Sequence, residues 1–464
     1  MKKTLSLLLC IALLVAVFVG CASSNDNNAD ASPSIEPTSE PTPEPDYAVE
    51  WVCRELEQAV RTVLKKPKGD IMASELDFVW GIYGSSYVND NDLKFALYDS
   101  KQGLENEEPL LESYVYIKNR MDAFVTDMRH FRRLSLLTIK NSTVNDISSL
   151  SGLKCLTFLD LDNNSINDIS PLGELTGLTW LNLADNYISD LSHLYNLTNL
   201  TQLDLSNNNV SDISPLYKLT NLTRLDLSEN NISDVSPLYK LTALTELYLS
   251  INCIGNILPL SSLTNLTHLG LFGNNISDIS PLSEMTNVTS LTLSRINGDI
   301  SPLGGLTDMT HLEIYSDNVS DISPLSGLTN LTRLKLGGDS ISDISPLSAL
   351  TNLTRLELRG NITDISPLSG LTNLTHLKLR GDNISDISPL SGLTDLMELE
   401  LRSNNINDIS PLRCLESLNL LYLYGSSGIN IEEGMKLLDS LYNCYIYVNG
   451  LGGWYRERPL QPPA

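Results

Sequence analysis

Between Leu222 and Ala243 the apolar residues fall at places 1, 4, 6, 11, 14, 17 and 20 of a 22-residue phrase: Leu222, Leu225, Leu227, Ile232, Val235, Leu238 and Leu241. That spacing is neither helical nor that of a simple hairpin. Around places 3 to 7 the alternation is strict, so Leu225 and Leu227 point inward while Arg224, Asp226 and Ser228 point outward, the period-2 mark of a short strand. The phrase then turns at Asn230 and returns through Ser-Asp-Val-Ser-Pro-Leu. There Ser236 offers a capping hydroxyl ahead of Pro237, a proline suited to a first helical position, which predicts one short 3₁₀ turn. A strand on one side and a tight turn on the other predict a coil that curves.

The phrase recurs. Copies open at Leu134, Leu156, Leu178, Leu200, Leu222, Leu244, Leu266, Val288, Met309, Leu331, Leu353, Leu374 and Leu396, thirteen in all over residues 134–417, with those at Val288 and Leu353 one residue short. Self-similarity at this period predicts a solenoid in which each unit buries its apolar face only against its neighbours. Asn recurs at place 9 (Asn164, Asn186, Asn208, Asn230, Asn252, Asn274, Asn361, Asn404), and an amide that both donates and accepts suits a ladder between coils. Asp replaces it at Asp317, Asp339 and Asp382, and the copy at Val288 loses it, so that coil is expected to be the most irregular.

The wording L-x-x-L-x-L-x-x-N, followed by I-S-D-I-S-P-L, resembles the leucine-rich repeat in the 22-residue form of bacterial internalins. The resemblance covers the repeats and implies an α/β fold: a leucine-rich-repeat solenoid with a curved parallel β-sheet on the concave side, short 3₁₀ or irregular turns on the convex side, and a cap at each end. It says little about a ligand, because the shared residues are those that make the scaffold. The domains that usually follow the repeats in internalins, and their cell-wall sorting signals, are not found, so the resemblance is not extended to an invasion role.

Residues 1–21 have two lysines and an apolar run ending at Cys21, which predicts a secretory signal too short to span a membrane. Phe18-Val19-Gly20-Cys21 resembles the site at which bacterial lipoproteins are cut and lipidated, with Cys21 as the acceptor and Phe18 in place of the usual Leu. The implied address is the outer surface of the cytoplasmic membrane, reached by secretion. Residues 22–46 are rich in Ser, Pro and Glu and predict a disordered tether of roughly 25 to 30 Å. Residues 47–133 are expected to form an N-terminal cap. Its parts are a helix over 47–64 with Val49, Val52, Leu56, Val60 and Leu64 inward, a strand over 74–83, a charged loop-rich insertion over 88–109, and a degenerate leading repeat from Glu112. Val115 and Ile117 would supply that repeat's strand, and Val125, Met128 and Phe131 its return leg. Residues 418–464 are expected to give a last repeat strand, a helix over 431–442 with Ile431, Met435, Leu438 and Leu441 inward, and a final strand over 445–448.

Composition narrows the function. With 56 Asp and Glu against 31 Lys and Arg, the chain carries a net charge of −25, which disfavours nucleic acid or an anionic lipid face as partner. Setting aside Cys10 and Cys21, the cysteines are Cys53, Cys155, Cys253, Cys414 and Cys444, with no spacing that suits a metal. A pairing of Cys414 with Cys444 stays open, free buried thiols being the commoner outcome. His268, His311 and His376 share outward place 3, but strands about 4.8 Å apart put the first two roughly 10 Å from each other, too far to share an ion. No nucleophile, metal or phosphate motif holds together, so no enzyme, cofactor or metal is expected.

What varies from coil to coil is the content of places 3, 5 and 7, three columns on the inner sheet. The N-terminal half offers Asp160, Asp204 and Asp226 beside Phe158 and Trp180, read as exposed; the middle has Tyr248, Phe272 and Tyr315. The C-terminal half carries Arg333, Lys335, Arg355, Arg359, Lys378, Arg380 and Arg402. Neighbouring charges could pair, as Glu357 with Lys335 and Lys378. Outward aromatics suggest instead a face that captures a protein or peptide. Capture of a glycan, or a spacer without a ligand, are the alternatives, and a monomer is expected.

Overall fold

The computed structural model describes residues 46–86, 92–100, 102–103, 110, 115–118, 121–381, 383–403, 405–425, 431–441, 443–449 and 454–455. The expected signal segment and nearly all of the expected tether lie outside these residues, as do Asp382 and Asn404.

Every coil has the expected plan: one short strand, a turn, and a 3₁₀ turn on the return. The strands of the N-terminal coils are β4 (Leu136–Lys140), β5 (Phe158–Asp160), β6 (Trp180–Asn182), β7 (Gln202–Asp204), β8 (Arg224–Asp226), β9 (Glu246–Tyr248) and β10 (His268–Gly270). Those of the C-terminal coils are β11 (Ser290–Ser294), β12 (His311–Tyr315), β13 (Arg333–Gly337), β14 (Arg355–Arg359), β15 (His376–Arg380), β16 (Glu398–Arg402), β17 (Leu420–Tyr424) and β18 (Tyr445–Asn449). From β4 to β18 each pairs parallel with the next, with place 3 opposite place 3, as in Arg224↔Glu246 and Arg333↔Arg355. The result is the leucine-rich-repeat solenoid, its parallel sheet on the concave side and its 3₁₀ turns on the convex side. The inward leucines form one continuous core; Leu225, Leu227, Leu238 and Leu241 are all fully buried.

The repeat's polar letters stitch coil to coil. Asn186 shows the ladder: its Nδ2 donates to the carbonyls of Leu161, Leu183 and Ala184, and its Oδ1 accepts the N–H of Ile166. Threonine at place 2 adds a second ladder, Thr223 Oγ1 donating to the Thr201 carbonyl at 3.1 Å. The Asn of Leu-Thr-Asn-Leu-Thr adds a third, Asn221 Nδ2 donating to the Thr198 carbonyl at 2.9 Å. On the return leg the capping group is the aspartate and not the serine: Asp234 Oδ1 accepts the Ser236 N–H at 2.8 Å, and Asp168, Asp190, Asp343 and Asp386 act alike.

The asparagine ladder stops at Asn274. In the coils before it, place 8 is left-handed, as at Asn207 (φ 51°) and Glu229 (φ 56°), which turns the chain early and drops the next Asn into the core. From β11 onward the strand is longer, five residues against three in β5 to β10, and Gly338, Gly360 and Gly381 occupy place 8 without a positive φ. A Cβ at Gly338 would collide with the Ser316 carbonyl oxygen, so this flatter turn requires glycine there. Asn361 is accordingly exposed and is no ladder residue. The coil opening at Val288, where the turn type changes, places Gly298 at φ 100° in its return leg and Arg295 at φ 53°.

The N-terminal cap departs from expectation. Helix α1 (Arg54–Leu64) buries Leu56, Ala59 and Val60 and ends at Lys65 (φ 52°) just before Pro67, while Val52 is exposed. Its first turn is capped from a distance by buried Asp127, whose carboxylate accepts the N–H of Val52 (3.0 Å) and of Cys53 (2.7 Å). Residues 73–76 form a 3₁₀ turn, and the strand lies later, at β1 (Gly81–Ser86). The charged insertion contains a strand, β2 (Asp92–Tyr98), antiparallel to β1. The leading coil is assembled from two pieces. Its strand is β1, parallel to β4, whereas β3 (Val115–Lys118) pairs antiparallel with β2. Its return leg is α2 (Met121–Asp127) with the 3₁₀ turn Met128–His130, stacked on Ser148–Gly152. At the other end, α3 (Ile431–Ser440) lies on the turn Ser410–Cys414 and buries Leu437, with Leu441 buried just past its end, but Met435 is exposed. β19 (Trp454–Tyr455) closes the edge, antiparallel to β18.

Among the described residues Cys53, Cys155, Cys253, Cys414 and Cys444 are free thiols, and only Cys53 and Cys444 are buried. No described helix is long and apolar enough to cross a membrane.

Candidate functional site: the concave sheet

Because the pairing register is unbroken, places 3, 5 and 7 form three continuous columns facing away from the leucine core. Each predicted site residue sits in one of them, but not all are available. Phe158 is buried, its ring stacked on Trp180 with centroids 4.0 Å apart and planes within 7°. Together with Ala96, Tyr98 and Leu136, and with half-buried Trp80 and Tyr83 at its edge, it makes a second small apolar cluster on the outer face of the sheet. Trp180 is half-buried and its Nε1–H donates to Gln202 Oε1 at 3.0 Å. These aromatics therefore serve folding, since β1 and β2 extend the same face and supply partners that the repeats alone do not.

Asp160 is buried as well, 2.7 Å from Lys140 Nζ. Burial outweighs that partner and pushes its carboxyl up to about 6. Asp226 is raised by burial and by Asp204 beside it. Asp204 and Asp226 each accept the N–H of the serine two residues on. Raised carboxyls favour the folded state when protonated, so their contribution is present below the ordinary value of 3.8 and fades as pH rises toward 6. The aspartates capping the 3₁₀ turns do the opposite: hydrogen bonds from the following serine hold Asp168, Asp343 and Asp386 below 3.8, so their stabilisation is complete above that value and is lost as pH falls through it. The melting temperature is expected to rise on acidification from pH 7 toward 4 to 5 and to fall below pH 4, as a calorimetric pH series would show.

The central and C-terminal parts are open. Tyr248 lies beside Gly270, under the Arg224 guanidinium (4.7 Å to the ring centre), and donates to Glu246 at 3.1 Å. Phe272 is exposed and meets Tyr315 edge to face at 6.0 Å across the small Ser294 of the intervening strand. A Cβ at Gly337 would come within 2.6 Å of the Tyr315 ring, so this glycine gives the ring its place. Gly337→Val is expected to displace the ring and change the near-ultraviolet circular dichroism while the far-ultraviolet spectrum stays as it is.

Most cations of the C-terminal half are paired: Lys335 with Glu313 (2.7 Å), Lys378 with Glu398 (3.1 Å), Arg359 with Asp339 (3.2 Å), and Arg380 and Arg402 with Glu400 (3.4 and 2.8 Å). Glu357, expected to pair with Lys335 and Lys378, has no ion pair among the described residues. Arg333 and Arg355 are exposed and likewise have none. Beyond them stands an aromatic group that the sequence reading missed: Tyr422, Tyr424, Tyr445 and Tyr447, with the Arg402 guanidinium 4.3 Å from the centre of Tyr424. Tyr422 and Tyr424 occupy places 5 and 7 of the strand after the thirteenth copy, so carrying the columns one coil further finds them.

Among the described residues no group of His, Cys, Asp and Glu could hold a metal ion.

Residues 176–218, 220–262, 264–306 and 351–392 match the family described as Leucine Rich repeats (2 copies). No curated protein matches the chain. Among solved structures, the chain is 33% identical to an internalin (InlF) of Listeria monocytogenes, covering 76% of this chain and 96% of that one with a TM-score of 0.63. A leucine-rich-repeat protein of Leptospira interrogans is 23% identical, with 69% and 85% covered and a TM-score of 0.63. A plant peptide hormone receptor, RGFR1, solved in complex with RGF2, is 19% identical, with 70% and 60% covered and a TM-score of 0.51. The last two likenesses show the fold alone. The identity with the Listeria protein over nearly its whole length goes further, and the chain belongs to the internalin-like family of bacterial leucine-rich-repeat proteins.

Proposed function

We propose that this protein is a surface-tethered binding module that captures a protein or peptide ligand on its concave sheet, held at the outer face of the cytoplasmic membrane through lipid on Cys21. One observation carries the reading. The coils spend their inward and edge positions on a uniform scaffold, while the open part of the concave face displays Phe272, Tyr315 and Tyr248 between acidic and basic flanks. Phe272 is exposed and the two tyrosines are half-buried, and aromatics accessible at the centre of a charged rim are the usual anchors of protein interfaces. A plant peptide hormone receptor of the same fold is solved in complex with RGF2, a precedent for ligand capture by a solenoid of this kind.

The test is capture of a partner by the full chain, compared with the double variant Phe272→Ala with Tyr315→Ala and with the convex control Tyr217→Ala with Tyr239→Ala. Capture is expected to be lost in the first, retained in the second, and weakened by salt. Equal capture by all three would contradict the reading, and capture indifferent to salt but blocked by free sugars would assign the face to a glycan.

A further inference from the structure

On four successive strands, β12 to β15, column three reads His311, Arg333, Arg355, His376. Elsewhere on the C-terminal half of this face the lysines and arginines of columns five and seven have carboxylate partners. Arg333 and Arg355 have none among the described residues, yet stand directly opposite each other and exposed, an arrangement in which like charges repel. The histidines on either side are pre-set. The Thr310 hydroxyl donates to the Thr289 carbonyl and so accepts the Nδ1–H of His311, and Thr375 does the same for His376. A proton added to either ring therefore goes to Nε2, turning it into a donor.

We propose that this row is a recognition site for two or three neighbouring carboxylates on an acidic segment of the polypeptide ligand. The guanidiniums supply the charged donors, and the two imidazoles close the row by gaining protons when the segment binds. The row spans three strand spacings, roughly 14 Å. It is bounded by Glu398 on one side and by Glu313 and Glu357 in the next column. A long uniform polyanion would run into those carboxylates and into a chain of net charge −25, whereas a short acidic peptide fits between them. Burial, Arg333 and His268 hold His311 down, against Glu313. Burial, Arg355, Lys378 and Arg333 hold His376 down, against Glu398. A bound carboxylate offsets the arginine charge, so binding takes up protons and tightens as pH falls.

This inference rests on concave-face capture as proposed above. The experiment is calorimetric titration of the full chain with an acetylated, amidated hexaglutamate peptide at low salt. One-to-one saturable binding is expected, tightening between pH 8 and 5.5. The double variant Arg333→Gln with Arg355→Gln should weaken it about tenfold or more while melting unchanged. The convex pair Lys218→Gln with Lys240→Gln should leave it alone. Absence of saturable binding, or equal binding by the arginine variant, would overturn the proposal. So would equally tight binding of inorganic phosphate or a heparin hexasaccharide. If the arginine variant still captures the natural partner while the Phe272 and Tyr315 variant does not, the acidic-segment assignment falls and concave-face capture stands.

Discussion

Leu247→Asp is expected to open the solenoid from the middle. Leu247 is fully buried on β9, between Leu225 and Leu269 of the adjacent strands, and each coil is supported only by its two neighbours. An aspartate there has no cation within the core to pair with, and an uncompensated buried charge costs roughly 3 to 5 kcal/mol. Because repeat arrays lose stability locally, the loss should register first as fast hydrogen exchange in β8, β9 and β10, with β14 to β16 still protected. Urea titration followed by exchange mass spectrometry checks this. Unchanged protection of β9 would mean that the assigned inward face is wrong.

The second large effect is a contrast between two asparagines that share place 9. Asn230 donates to the carbonyls of Leu205, Leu227 and Ser228 and accepts the Val210 N–H, all near or inside the core. Asn230→Leu leaves at least one buried N–H and one buried carbonyl without a partner, at about 1–3 kcal/mol each. A total loss of roughly 2–6 kcal/mol is expected. Asn361, exposed beyond the longer strand β14, should tolerate Asn361→Ala within about 0.5 kcal/mol. Urea midpoints of the two variants decide it; equal losses would contradict the change of turn type along the solenoid.

The sequence made the coil plainly legible because one phrase repeated thirteen times leaves little freedom: the leucine spacing sets the strand, the inward face and the return turn together. Place 9 was less legible. Asparagine and glycine both occur at that corner, and only the backbone shows that a left-handed place 8 buries the Asn while Gly338 and Gly360 keep the strand straight and leave it out. The caps were least legible, since they lie outside the repeat. Asp127 capping α1 across a long stretch of chain has no local signature, and β1 taking the strand position expected of Val115 and Ile117 depends on pairing that hydrophobic spacing cannot specify.

The same cause explains the uneven reading of the site. Arg333, Arg355 and Tyr315 lie in columns that follow from the strand register alone, and Phe272 reaches Tyr315 from the turn after β10. The repeats alone predict Phe158 and Trp180 to be exposed, because β1 and β2, which carry the residues packed on them, lie outside the repeat. Tyr422 and Tyr447 stand on the strands after the last full copy, where the repeat phrase no longer marks the columns.

The most direct test of the central claim is site-specific photo-crosslinking of the captured partner, with the reactive group placed at Thr292 in the concave column five or at Tyr239 on the convex turn. The account predicts a crosslinked complex from position 292 and none from position 239. Crosslinking from position 239 with position 292 silent would put the ligand on the opposite side of the coil and contradict it.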